Sequence, residues 1–353
     1  MAPSSFYLLR LTLSLCVLFT AVTTATCVPR SHSSPDLSAA ILKRHFPIKT
    51  ADNGSLYVQD PSTNQTVEQG RASDGAGYGF DAPAIIWLAW SFAVGIPLVL
   101  AGIRLSRITT GASIGLTCVL LVWASFVNTV NAEGIGDPVI AGLCMGAFGV
   151  GFTIGVLNIG RVAGITLLAI MGGMSIGVRI ILFRPGLLIP SLLYANWLII
   201  TVLGIGGFVL VLLRQRAAIT GGSAAVGSLL VGLGIDLIIN QQDGLSMGLR
   251  FLFDRNNSHL VDLFTRQYHP PITTEIIMAV SLAAIPLFAY LQHYIFKQPF
   301  SRIRSDSLFS IRDTPRSSNS STRGTGETAT LRPEEVLEKA EKGSYASSSK
   351  GRK

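Results

Sequence analysis

The sequence predicts an all-α membrane protein, a seven-transmembrane-helix bundle of three short-turn helical hairpins plus a seventh helix. Three observations predict it. Of 353 residues, 49% are hydrophobic and 14% charged, against about a quarter charged in soluble domains. Seven apolar runs, at about 84–103, 108–128, 138–157, 162–183, 188–213, 217–239 and 272–295, approach or exceed the ~20 residues that cross a bilayer. The Lys and Arg residues of the short loops, Arg184 apart, fall in alternate loops and so on one side, as the positive-inside rule demands. The four cysteines are too few for a disulfide-rich secreted scaffold. Most of the +8 net charge lies behind the last apolar run, so it is no nucleic-acid signal.

Residues 1–25 read as a signal peptide. Arg10 precedes an apolar core at 11–22, and Thr23 and Ala25 offer small side chains at a cleavage site. An uncleaved anchor is the alternative, although the core is too short to span. Residues 26–81 form a polar extracellular or luminal arm, expected to be mostly disordered. It carries two N-glycosylation sequons, Asn53-Gly54-Ser55 and Asn64-Gln65-Thr66. Lys43-Arg44 is either a dibasic processing site or a solvated charge pair.

The membrane domain covers 82–296. A cleaved signal peptide starts the first span outside. Arg104 and Arg107, Arg161, and Arg214 and Arg216 then fall in three cytosolic turns, while the loop 129–137 carries only Glu133 and Asp137. Arg184 is the exception. Trp87 and Trp90 are expected in an aromatic belt at the outer interface.

Each cytosolic turn is short, basic and followed by small residues: R-ITTGASIG from Arg107, R-VAGIT from Arg161 and R-AAITGGSAAVG from Arg216. The pattern points to hairpins one–two, three–four and five–six, and to an internal repeat. Glycines recur four residues apart at Gly111/Gly115, Gly142/Gly146, Gly151/Gly155, Gly160/Gly164 and Gly173/Gly177. Such spacing lets helix backbones approach closely in lipid. Intramolecular packing is the main expectation, and a homo-oligomer face the alternative.

Gly102-Ile103-Arg104, the Gly111 to Gly115 helix start, Gly160-Arg161 and Gly234-Ile235-Asp236 stand in an order that carries a family resemblance. The chain resembles the seven-helix domain of the transmembrane protein 198-like and transmembrane 7 superfamily member 3-like proteins, over about 82–296. Its secretory arm and long final loop look like those of fungal members. The resemblance implies an integral membrane protein and supplies no catalytic residues.

Arg179 and Asp236 are the charges expected inside the bilayer, each ~25–30 Å along its helix from the cytosolic start. They are read as an intramembrane polar pair between spans four and six, either a structural clasp or part of a polar cavity. Gly111-Ala112-Ser113-Ile114-Gly115 and Gly173-Met174-Ser175-Ile176-Gly177 match G-x-S-x-G but lie within helices, where a nucleophile elbow cannot form. A Ser113–His293 dyad stays open. Cys118 and Cys144 read as buried small apolar residues. No catalytic, cofactor-binding or metal-ligating set is expected.

The loop 240–271 holds a third sequon at Asn256. It also predicts an interfacial helix, with Leu260, Val261, Leu263 and Phe264 on one face and Ser258 as N-cap. The tail 297–353 is basic at its start and expected to be mostly disordered and cytosolic, with one short helix at 333–342 and docking sites for cytosolic proteins.

These readings give a non-enzymatic, multi-pass scaffold or receptor-like component of the secretory pathway or plasma membrane, whose partners include the lipid bilayer. The alternatives are a small-solute or ion transporter using Arg179 and Asp236, and a G-protein-coupled receptor, which the very short cytosolic turns and the missing D-R-Y and N-P-x-x-Y signatures disfavour.

Overall fold

A computed structural model describes residues 48–50, 56–70, 74–157, 160–189 and 193–296. The signal peptide, Asn53, Lys43-Arg44 and the tail lie outside the described residues.

Seven long helices form the membrane domain: α1 (Ala82–Ala101), α2 (Ser106–Thr129), α3 (Asp137–Val156), α4 (Arg161–Leu182), α5 (Leu193–Leu213), α6 (Gln215–Ile239) and α9 (Ile272–Ile295). All seven are long and apolar enough to cross a membrane. Two short helices, α7 (Leu245–Phe253) and α8 (Leu260–Arg266), occupy the final loop. In the arm, β1 (Ile48–Thr50), β2 (Leu56–Gln59) and β3 (Thr66–Val67) form an antiparallel sheet in which Val58 faces both Ile48 and Val67.

The helices divide into two shells. In the most apolar stretches of α2, α4 and α6, 56, 78 and 67% of residues are buried, against 11–28% in α1, α3, α5 and α9. The inner three are those that open after a basic turn, and they run parallel to one another: Thr110 meets Gly164, and Gly172 meets Gly222. All the short basic turns therefore lie at one end of the bundle, the basic end; the arm lies at the other.

The packing corrects the expected hairpins. Helices joined by basic turns are not the principal partners. Each inner helix packs instead on the outer helix of the following unit, α2 on α3 and α4 on α5, and α6 closes back on α1. The glycines explain the choice. A Cβ on Gly155 would stand 2.7 Å from the Cα of Gly111, one on Gly151 2.9 Å from the Cα of Gly115, and one on Gly227 2.9 Å from the carbonyl oxygen of Gly95. Gly173 meets the Leu203 carbonyl of α5, and Gly177 lies against Ile200. With no hydrophobic drive between helices in lipid, the pairs that approach closest gain most dispersion energy. Small residues on the inter-unit faces thus decide the pairing, and the threefold pattern closes as a ring of units. The α9 helix packs outside it on α6.

Two expected packing glycines do not pack. A Cβ on Gly142 or Gly146 would have no neighbour within 4 Å. Both sit on an α3 face turned away from α2.

At the basic end the inner helices are tied by hydroxyls. Ser113 Oγ donates to the Gly164 carbonyl (2.6 Å) and Thr110 Oγ1 to Gly155 (2.9 Å). Gln292 of α9 donates to Leu98 and Val99 of α1 and is 3.2 Å from the hydroxyl of Ser223. These contacts match donors to carbonyls that have no water to bond.

The described end of the arm is ordered, where its composition predicts a loose segment. Residues 74–81 fold onto the helix ends, where Trp87 donates to the Gly75 carbonyl and Trp123 to that of Asp74, both at 2.8 Å. Gly75 N–H donates to Asp137 (3.1 Å), and Gln242 holds Gly79 from both sides, accepting from its N–H and donating to its carbonyl. Asp81 caps α1 by accepting from Ala84 N–H. Polarity hid this order, because the stabilising groups belong to residues far away in sequence.

Candidate functional site: a cavity beneath the arm

The inner helices separate toward the arm end and enclose a cavity of about 200 Å³. Its walls come from four helices: Trp87 and Trp90 of α1, Leu120 and Trp123 of α2, Met171 and Met174 of α4, and Leu229 and Leu233 of α6. Leu249 and Phe253 of α7, with Asp74 and Ala76 of the arm, border its mouth. The lining is almost wholly apolar, and Asp74 is its one ionisable member among the described residues.

Aromatic packing fixes the walls. Trp87 and Trp90 meet edge to face at 5.4 Å, Trp90 meets Phe148 likewise at 5.4 Å, and Trp123 meets Phe253 at 5.5 Å. The predicted aromatic belt is thereby corrected: Trp87 and Trp90 turn inward, held by the arm and by Phe148. Trp87 and Trp123 have their N–H groups bonded, whereas the buried Trp90 Nε1 has no hydrogen-bond partner.

The Asp74 carboxylate accepts from Ala76 N–H at 3.0 Å. Enclosure by protein raises its pKa above the ordinary range, with Arg250 opposing and Asp137 adding to the rise. Arg250 is itself committed to a charged cluster under the mouth. It hydrogen-bonds Asp262 and lies 4.0 Å from Asp254, which meets His259 Nδ1 at 3.0 Å, while Arg266 meets Asp262 at 3.1 Å. Arg250, Asp254 and His259 are all buried. Sequence reasoning missed this cluster, although the i,i+4 pairs Arg250/Asp254 and Asp262/Arg266 were a legible signal. It missed Asp74 as well, one acidic residue among several in a polar arm.

The expected polar pair is not formed. Both side chains are fully buried, but on separate partners. Arg179 Nη2 donates to the Ala225 carbonyl (2.8 Å) and to Ser228 Oγ (2.9 Å) on α6, and its Nε and Nη1 have no partner. Asp236 accepts from Thr274 (2.6 Å), Asn240 (2.8 Å) and the backbone N–H of Leu245, the first residue of α7. The reason is directional. Helical side chains lean toward the N-terminus, so Arg179 reaches toward the basic end, about two turns of α6 short of Asp236. Neither residue lines the cavity.

The remaining sites resolve singly. Ser113 is buried with its hydroxyl on backbone carbonyls, His293 is exposed, and no hydrogen bond joins them. Cys144 is fully buried and Cys118 partly so. Asn64 is exposed in a left-handed turn at φ 55°. Asn256 donates its amide to the Val130 carbonyl and accepts from Ser258 N–H, so it caps the short 3-10 turn Asn257–His259, while α8 begins after His259 with no side-chain cap from Ser258. A helix forms where the loop predicts one, as α8, with Leu263 buried. The loop adds a second, unforeseen helix, α7, which buries Leu245, Leu252 and Phe253. Among the described residues, no three His, Cys, Asp or Glu side chains converge as metal ligands do.

The order of the seven helices, with a Gly-x-Arg turn after α1 and Asp236 late in α6, is matched by one family model. The TM7S3/TM198-like domain model matches residues 88–295, more than half of the chain. The chain belongs to the TM7S3/TM198-like family. The matched region runs from α1 to the end of α9 and contains the cavity walls except Trp87, which precedes it with Asp74 and Ala76. Among curated proteins and solved structures, none matches the chain. Family and fold together make this an integral, multi-pass membrane protein.

Proposed function

We propose that this TM7S3/TM198-like protein is a receptor-like, non-enzymatic membrane component that takes an apolar small molecule into the cavity beneath its arm. The observation that carries the reading is the cavity itself. It is lined by indole, thioether and aliphatic groups, bordered by a folded arm, and lies between inner helices that pack tightly toward the basic end. Apolar concave sites with few polar groups are the usual form of small-molecule sites.

The arm end faces the extracellular or luminal side in this reading, and the basic turns face the cytosol. The protein resides in the secretory pathway or plasma membrane, and its tail recruits cytosolic proteins. Gly142 and Gly146, with no neighbours on α3, offer a face to a second copy in the bilayer; loss of a cross-linked dimer in Gly142→Leu would support that contact, and its persistence would refute it.

The test uses the protein in lipid nanodiscs and a bromine-tipped long-chain alcohol, which quenches nearby indoles. Saturable quenching that disappears in the cavity-filling variant Leu120→Phe supports the reading. Quenching that rises linearly with probe and is unchanged in the variant reflects partition into lipid and rejects it. Transport is the second reading, favoured by the unpaired nitrogens of Arg179. Cysteine at Ser175, on the cavity wall, discriminates in a background without Cys27, Cys118 and Cys144. Labelling by an impermeant thiol reagent from the arm side alone fits a closed basic end; labelling from both faces fits transport.

A further inference from the structure

The cavity also carries information on the charge of what it holds. We infer that it selects a cationic amphiphile, a protonated amine on an apolar body, with Asp74 as the counter-ion and the indoles of Trp87 and Trp123 beside the head group. This rests on the reading of the cavity as a ligand site and names the ligand class.

Three observations carry it. Among the described residues, the lining holds one ionisable side chain, and that side chain is acidic. No described Lys, Arg or His lines the cavity. Arg250, the cation that acts on Asp74, is already hydrogen-bonded to Asp262 and lies beside Asp254, so the carboxylate keeps capacity for another cation. One of its oxygens accepts from Ala76 N–H, and among the described residues no ion pair reaches it.

The aromatic geometry fits the same class. Trp87 and Trp123 donate to the carbonyls of Gly75 and Asp74, which fixes both rings beside the carboxylate-bearing residue. The backbone carbonyls of Asp74 and Gly75 add negative potential at the mouth. An anionic head would meet Asp74 and its neighbour Asp137 with no lining cation to offset them. Below the mouth, Met171, Met174, Leu229 and Leu233 accept only an apolar body.

The experiment extends the quenching assay to three bromine-tipped probes of one chain length: a primary amine, an alcohol and a carboxylate. The expected order is amine tightest, alcohol next and carboxylate weakest. Asp74→Asn keeps an acceptor for Ala76 N–H and removes the charge. It should weaken the amine by about tenfold and the alcohol by much less. Retention of the wild-type elution profile and of saturable alcohol binding shows that the variant is folded. Equal amine and alcohol affinities, or an amine affinity unchanged in Asp74→Asn, overturn the inference while leaving the cavity reading intact. Absence of saturable binding by all three probes overturns the cavity reading itself. If Asp74→Asn fails to fold, the order on the wild-type protein decides: amine tightest supports the inference, and equal or reversed affinities overturn it.

Discussion

The indole N–H of Trp123 donates to the backbone carbonyl of Asp74 at 2.8 Å, so a wall of the cavity and the acidic residue at its mouth are positioned by one bond. Trp87 repeats the arrangement with Gly75. The arm is thereby tied to the bundle from two helices.

Removing these tethers should loosen the arm before the bundle. Trp87→Phe and Trp123→Phe each delete a hydrogen bond, at a cost of about 1 kcal/mol. Hydrogen exchange at Gly75–Gly79 should accelerate in either variant and most in the double variant. Unchanged protection would mean that Asp137 and Gln242 hold the segment without the indoles.

Asp236 and Arg179 should behave as independent sites. Asp236→Leu removes the acceptor of three hydrogen bonds, each worth about 1.5–3 kcal/mol when the acceptor is charged, and frees the start of α7. Arg179→Met removes an unpaired buried charge and should be tolerated better. A double-mutant cycle on thermal stability should give a coupling below about 0.5 kcal/mol. A larger coupling would restore the intramembrane pair.

The two kinds of glycine separate cleanly. Gly155→Ala would drive a methyl to 2.6 Å from the Thr110 carbonyl oxygen and should cost about 1–3 kcal/mol by overpacking. Gly146→Ala meets nothing within 4 Å and should be neutral or stabilise by up to about 1 kcal/mol through helix propensity. Melting temperatures of the purified variants check both.

Glycosylation should distinguish two described sequons. Asn64 is exposed, and an enzyme-sensitive mass shift should be lost in Asn64→Gln. Asn256 uses its amide nitrogen on Val130, so Asn256→Gln should leave the shift unchanged. Loss of the shift in Asn256→Gln instead would mean that the site is modified before this packing forms.

Asp74 sets a pH dependence of defined sign. Its carboxyl is raised by burial, against Arg250 and with Asp137, so the folded chain holds the proton more tightly than the unfolded one. The associated stability is full below the unfolded pKa of about 4 and is lost as pH rises through the higher folded value. Asp74→Asn should match the wild type in acid and exceed it increasingly toward neutral pH in ligand-free protein. A difference that does not grow with pH would show that Asp74 is not enclosed.

The sequence by itself determined the number of spans, their limits to within a few residues and the basic turns between them. These follow from apolar length and from charge in adjacent loops, which are local properties. It also marked several packing glycines, such as Gly111, Gly151 and Gly155 but not Gly95 or Gly227, because spacing along one helix shows that a small-residue face exists. The tertiary structure decided which face meets which helix. Gly111 and Gly142 read alike in sequence, yet one lies against α3 and the other against no protein. It also decided that Arg179 and Asp236 turn apart, and that a polar arm would fold. Those outcomes depend on donors and acceptors brought together from distant positions, such as Trp123 and Asp74 or Asp236 and Leu245. The cavity is the furthest from the sequence: its apolar side chains look like any helix core, and only the separation of three parallel helices leaves space between them.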